Sequence, residues 1–153
     1  ADIPLKAPQT SLGNTAHYLD AGYKPLYPFG HGLSYTTFEY GQVELISESL
    51  RAGDSLLASV VVKNTGSREG TEVVQLYIRD LVGSTTRPVK ELKAFKKIKL
   101  QPHEATQVGF KIPVEKLGFY NEELKWVLEP GDFIVYIGSN SSDLNEKKFR
   151  LVE

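Results

Sequence analysis

The run Glu72-Val73-Val74-Gln75-Leu76-Tyr77-Ile78-Arg79-Asp80 alternates: Val74, Leu76 and Ile78 share one parity, and Gln75, Tyr77 and Arg79 share the other. A period of two is the strand period, because successive side chains point to opposite faces. The same pattern recurs on either side. Leu56 to Asn64 places Leu56, Ala58, Val60 and Val62 on one face. Val108, Phe110 and Ile112 mark a further strand, ended by Pro113. Phe133, Val135 and Ile137 follow Pro130-Gly131, and Phe149 and Leu151 close the chain. Thr37 to Ser47 is predicted as a first strand. Leu92 to Leu100 is less regular: Phe95 falls on the opposite parity to Ile98 and Leu100, so a bulge is expected there.

The connections agree with this reading. Asn64-Thr65-Gly66, Gly83-Ser84, Gln101-Pro102-His103 and Glu129-Pro130-Gly131-Asp132 carry residues suited to turns. Phe119-Tyr120 and Trp126-Val127-Leu128 flank Asn121 to Leu124, which predicts a hairpin. Val114 to Gly118 offers one short helical turn, and no window offers an amphipathic helix. About seven to nine short strands with one apolar face each predict an all-β chain: an antiparallel β-sandwich, immunoglobulin-like or fibronectin type III-like. A closed barrel is the alternative.

The chain has 153 residues, enough for one domain with a real core. Its hydrophobic content of 41% and charged content of 24% place it among ordinary globular proteins. A formal net charge of -1 gives no reason to expect nucleic acid or an anionic membrane as partner. There is no cysteine, which removes disulfides, thiolate metal sites and a cysteine nucleophile, and leaves the compartment open. There is no methionine and the first residue is Ala1, as expected of a piece of a longer product.

Before the strands lies Tyr27-Pro28-Phe29-Gly30-His31-Gly32-Leu33-Ser34-Tyr35, aromatic and glycine-rich with neither helical nor strand period. It reads as a junction in which one structure feeds the first strand of another. Residues 1–36 are predicted as a linker or interdomain strap, with an extended, loop-like stretch from Ala1 to Lys24, and residues 37–153 as the sandwich. Tyr27, Pro28, Phe29, Gly30, His31, Gly32, Leu33 and Tyr35 are the candidate interdomain contacts. Tyrosine and phenylalanine suit such a strap, because a ring buries apolar area while a hydroxyl keeps a partner. Glycines on either side of His31 let the backbone approach another surface closely.

Other chemistry-bearing residues are weaker candidates. Acid/base chemistry by paired carboxylates needs two such groups held within a few ångström of the reacting bond. Glu69, Glu72, Asp80, Glu91, Glu122, Glu123 and Asp132 fall mostly at turns or outward positions, where solvated charge is the ordinary explanation. His17, His31 and His103 are too dispersed to suggest a metal site, and no cofactor is expected. Tyr77 and Trp126 are the candidate sugar-stacking residues outside the junction, although packing is the plainer role for Trp126. Lys93, Lys96, Lys97 and Lys99 read as charges guarding an edge strand. Asn140-Ser141-Ser142 fits a glycosylation acceptor, which matters only in a eukaryotic secretory host.

Pro25 to Phe38 closely resembles the segment that enters the C-terminal fibronectin type III-like domain of family 3 glycoside hydrolases, the β-glucosidases, β-xylosidases and relatives. Three further blocks match in the same order: Val62 to Tyr77, Arg87 to Phe95, and Glu129 to Phe133 with Ile137-Gly138. The resemblance runs from about residue 20 to the end. It implies a parent enzyme with a (β/α)8 domain, an α/β sandwich domain and this module, and a periplasmic or secreted address. It also implies that the catalytic aspartate and glutamate lie in the other domains, since no position here matches either motif. One departure concerns the tyrosine corner of ordinary fibronectin type III domains: Ile134 stands where the tyrosine would be, and Phe133 is expected to fill the space.

The expected function is therefore a non-catalytic accessory domain of a β-glycosidase that stabilises and positions the catalytic domains. A carbohydrate-binding module that holds polysaccharide, and an adhesion or oligomerisation module, are the alternatives. The expected partners are the catalytic domains and, in the second case, an oligosaccharide.

Overall fold

A computed structural model describes residues 25–81 and 89–153. The predicted extended stretch at residues 1–24, with His17, and the turn at Gly83-Ser84 lie outside the described residues.

Two sheets face each other. In the first, β4 (Ser55–Asn64) is central and pairs antiparallel with β7 (Ala105–Pro113) along one edge. Its other edge takes β1 (Phe38–Tyr40) and then β2 (Glu44–Leu45). The second sheet runs β3 (Ser49–Leu50), β11 (Leu144–Leu151), β10 (Gly131–Gly138), β5 (Gly70–Asp80) and β6 (Glu91–Leu100). Its pairings are antiparallel except β3 with β11, which is parallel. A 3-10 helix (Val114–Leu117) and a small hairpin of β8 (Phe119–Tyr120) and β9 (Trp126–Val127) follow β7. The fold is the predicted β-sandwich.

The core follows from parity. Leu56, Ala58, Val60 and Val62 of β4 face Val74, Leu76 and Ile78 of β5 and Val135 and Ile137 of β10 in one buried cluster. Phe133 fills its share by stacking on Phe149, with ring centroids 5.4 Å apart. Burial of such side chains contributes about 1.5–3 kcal/mol each, which makes this layer the main source of stability.

The expected single strand at Thr37 to Ser47 is instead broken into β1 and β2, both paired with β4, and β3 just beyond it joins the second sheet. The Gly41 amide donates to the Val61 carbonyl at 2.8 Å, keeping the chain beside β4 between β1 and β2. The Ser47 hydroxyl then donates to the Ser49 carbonyl at 2.6 Å, and this turn carries the chain across to β11. The bulge expected in β6 is present. Leu76 faces Ala94 and Tyr77 faces Leu92, so Lys93 is the extra residue. It brings Leu92 onto the same outer face as Phe95. β6 is a sheet edge, as its lysines suggested.

β10 is buried on both faces from Phe133 to Gly138. Ile134 and Tyr136 join Tyr77 in a second, smaller cluster on the outer face of the five-stranded sheet. The Lys90 ammonium lies 4.8 Å over the Tyr136 ring and donates to the Ser141 carbonyl at 2.9 Å. This end of the outer face is where the junction segment crosses.

Candidate functional site: an anchored apolar strap

Residues 25–36 form no strand but are fastened at both ends. At the start, the His31 amide donates to the Pro28 carbonyl at 3.0 Å and closes a tight turn. Gly30 takes φ +79° there, and a Cβ at Gly30 would collide with the Gln75 amide. Left-handed φ and close approach together require glycine.

Gln75 is the clamp. Its amide nitrogen donates to the Gly30 carbonyl at 3.0 Å and to the Ser139 carbonyl at 2.5 Å. Its amide oxygen accepts the Tyr77 hydroxyl at 2.5 Å. The Ser141 amide donates to the Phe29 carbonyl at 2.9 Å, and the Phe29 ring meets the Tyr77 ring edge-on at 6.5 Å. The loop after β10 and the centre of β5 thus hold the strap jointly.

At the far end, the Thr36 hydroxyl donates to Asn64 Oδ1 at 2.6 Å. Asn64 is fully buried and fully used: its nitrogen donates to the carbonyls of Arg68 and Leu100, and its oxygen also accepts the Gly66 amide. Thr36 lies so close to Gly66 and Gly70 that a Cβ at either would strike it. The block Asn64 to Gly70 therefore fixes where the strap enters β1.

Between these anchors the side chains point away from the sandwich. Leu33 is 94% exposed and Tyr35 93%. Leu26, Tyr27 and Phe29 are exposed as well, with the Tyr27 ring stacked on His31 at 4.9 Å. Gly30, His31 and Gly32 are exposed and Pro28 is half-buried. Large apolar side chains exposed on a backbone fastened at both ends make this segment the candidate interaction surface.

Beside the strap is a groove of about 620 Å³, where the strap meets the ends of β1 and β5. Phe38, Tyr40, Glu72 and Asp143 line it, with Leu33 and Phe95 among its apolar residues. The Tyr40 hydroxyl donates to Glu72 Oε1 at 2.7 Å. Burial pushes the Glu72 carboxyl above its ordinary value; the Tyr40 bond offsets part of this, and the charge of Asp143 adds to the rise. The Tyr40 phenol is likewise pushed up, by burial first and Glu72 second. Among the described residues no three His, Cys, Asp or Glu side chains gather as a metal set.

The two sugar-stacking candidates are placed differently. Tyr77 is only 2% exposed; its hydroxyl is taken by Gln75 and its ring lies under Phe29, so it offers no face to a ligand. Trp126 is 51% exposed, but its indole nitrogen donates to the Glu115 carbonyl at 3.1 Å and Tyr120 meets its ring edge-on at 5.0 Å. Sequence reasoning missed Gln75, Tyr40 and the role of Asn64. A signal existed for Asn64, which shares the inward parity of Leu56 to Val62. Gln75 carried none, because its outward parity looks ordinary until the strap covers it.

Residues 72–141 match the fibronectin type III-like domain family. The chain is 46% identical over 138 residues to a periplasmic β-glucosidase of Salmonella typhimurium, covering 90% of this chain and 18% of that protein. It is 42% identical over 149 residues to a putative β-xylosidase of Formosa agariphila, covering 97% and 20%. Among solved structures, the β-glucosidase of Listeria innocua in complex with glucose superposes with a TM-score of 0.84 at 39% identity, over 97% of this chain and 21% of that one. The chain spans about a fifth of the length of the relatives it matches.

Sandwich and family match together define a fibronectin type III-like domain. The chain belongs, more narrowly, with the domains of this kind carried at the C-terminal end of family 3 glycoside hydrolases, the β-glucosidases and β-xylosidases.

Proposed function

We propose that this chain is the non-catalytic accessory domain of a β-glycosidase and that residues 26–35 dock it on the catalytic domains. The observation that carries this reading is the contrast within the strap: a backbone fastened by Gln75, Ser141 and Asn64, and side chains of Leu33 and Tyr35 left in water. Exposed apolar groups on a fixed backbone cost little further conformational entropy when they bind. Docking them would hold the catalytic domains in place, and where two domains share one active site an error of about 1 Å costs on the order of a hundredfold in rate. The relatives are β-glucosidases and β-xylosidases of whose length this chain spans about a fifth, which supports an accessory role within a longer protein. The periplasmic relative supports a periplasmic or secreted address for the whole protein.

The double substitution Leu33→Ser with Tyr35→Ser tests this reading. Neither side chain is held by the sandwich, so the stability of the chain alone should change by no more than about 0.5 kcal/mol, as for other exposed sites. In the longer enzyme the same pair should lower the temperature of its first unfolding transition, with the preference among sugars kept. An unchanged transition in the longer enzyme would count against docking.

A further inference from the structure

We propose that the groove beside the strap receives a cationic side chain, arginine or lysine, from the catalytic portion of the longer protein, seated between Glu72 and Asp143. This rests on the docking reading above and names what the docked partner brings.

The argument begins with charge. The groove is lined by Glu72 and Asp143, and among the described residues no lysine or arginine lines it, His31 being its basic side chain. Elsewhere several carboxylates are answered by cations, Asp132 by Arg150, Glu69 by Lys99, Glu91 by Lys93 and Glu48 by Lys147, while Asp54, Glu104 and Glu115 accept from backbone amides of turns. Among the described residues the Glu72 carboxylate accepts from the Tyr40 hydroxyl and the Asp143 carboxylate from the Ser139 hydroxyl at 3.2 Å, both neutral donors. An ionised carboxylate accepts up to about four hydrogen bonds, so both retain capacity.

Position comes next. Leu33 is both an exposed strap residue and part of the groove wall, so a partner seated on the strap covers the groove as well. Covering it removes water from two carboxylates that already repel each other. That step is unfavourable unless the partner supplies positive charge, and an interface built on complementary charge supplies it. A sugar hydroxyl would hydrogen-bond to Glu72 without relieving the repulsion. Phe95, 65% exposed on the groove rim, offers an apolar wall for the stem of a long basic side chain.

The test is Glu72→Gln, made both in this chain and in the longer enzyme. Glutamine still accepts from the Tyr40 hydroxyl, and the sandwich has its own buried core. In the chain alone the substitution should leave the unfolding temperature unchanged or raise it, because it removes a disfavoured charge. In the longer enzyme it should lower the first transition by about 3 °C or more, and added salt should then matter less than in the unsubstituted enzyme. Asp143→Asn should behave alike.

If Glu72→Gln is harmless in the longer enzyme while Leu33→Ser with Tyr35→Ser still lowers its transition, the cation is wrong and the docking reading survives. If neither substitution separates the longer enzyme from the chain, both fail. Saturable amide shifts at Glu72 and Asp143 on titrating this chain with cellobiose would overturn the cation in favour of a sugar. A doubled mass by light scattering, lost in Glu72→Gln, would overturn it in favour of a second copy.

Discussion

Gln75 bonds two carbonyls and one hydroxyl from three separate segments, so one side chain fixes the strap, the loop after β10 and Tyr77. Replacing it by leucine keeps the volume and strands those partners. Each unsatisfied buried group costs about 1–3 kcal/mol, so Gln75→Leu should reduce the stability of the chain by about 2–4 kcal/mol in urea unfolding. Gly30→Ala should cost about 1–3 kcal/mol by combining left-handed φ with the collision at Gln75. The pH response follows from Glu72. Its carboxyl is raised in the folded state, so folding binds a proton more tightly than the unfolded chain does. The stability this contributes is complete below the ordinary value of 4.5 and is lost as pH rises through the raised value. Asp132, held down by Arg150, works in the opposite direction: its contribution is present above the unfolded value and is lost as pH falls through the lowered one. Urea midpoints of the chain measured across this range should therefore show the decline with rising pH diminished in Glu72→Gln, with the part due to Asp132 intact.

At the scale of the element, alternation made β4, β5, β7 and β10 legible, because each buries one parity against the facing sheet. Phe149→Ala removes a ring stacked on Phe133 inside that layer and should cost about 3–5 kcal/mol by urea unfolding, with Phe149→Leu costing less. The parity of Phe95 also pointed to the irregularity in β6, although the inserted residue is Lys93. Two features stayed hidden for physical reasons. The first strand reads as continuous from Thr37 to Ser47, but its break depends on bonds to Val61 and within the Ser47 turn that local pattern does not encode. The double burial of β10 depends on what covers the outer face, and that is long-range by nature. The strap was legible as aromatic and aperiodic; its clamp at Gln75 and its groove were not, because they join residues far apart in the chain.

The whole molecule is a sandwich with a closed interior and one unsatisfied exterior. Its core is closed by its own residues, whereas Leu33, Tyr35 and the Glu72 groove are the features that the docking proposal assigns to a partner. A chain spanning about a fifth of its relatives is consistent with that arrangement. The division predicts that substitutions in the core act equally in the chain and in the longer enzyme, while substitutions of the exposed strap side chains Leu33 and Tyr35 act only in the longer enzyme. The most direct measurement is amide hydrogen exchange of residues 26–35, compared between this chain alone and the longer enzyme. The docking account predicts that the amides around Leu33 and Tyr35 exchange rapidly in the chain and become protected in the enzyme, while core strands β4 and β5 change little. Equally rapid exchange of the strap in both would contradict it.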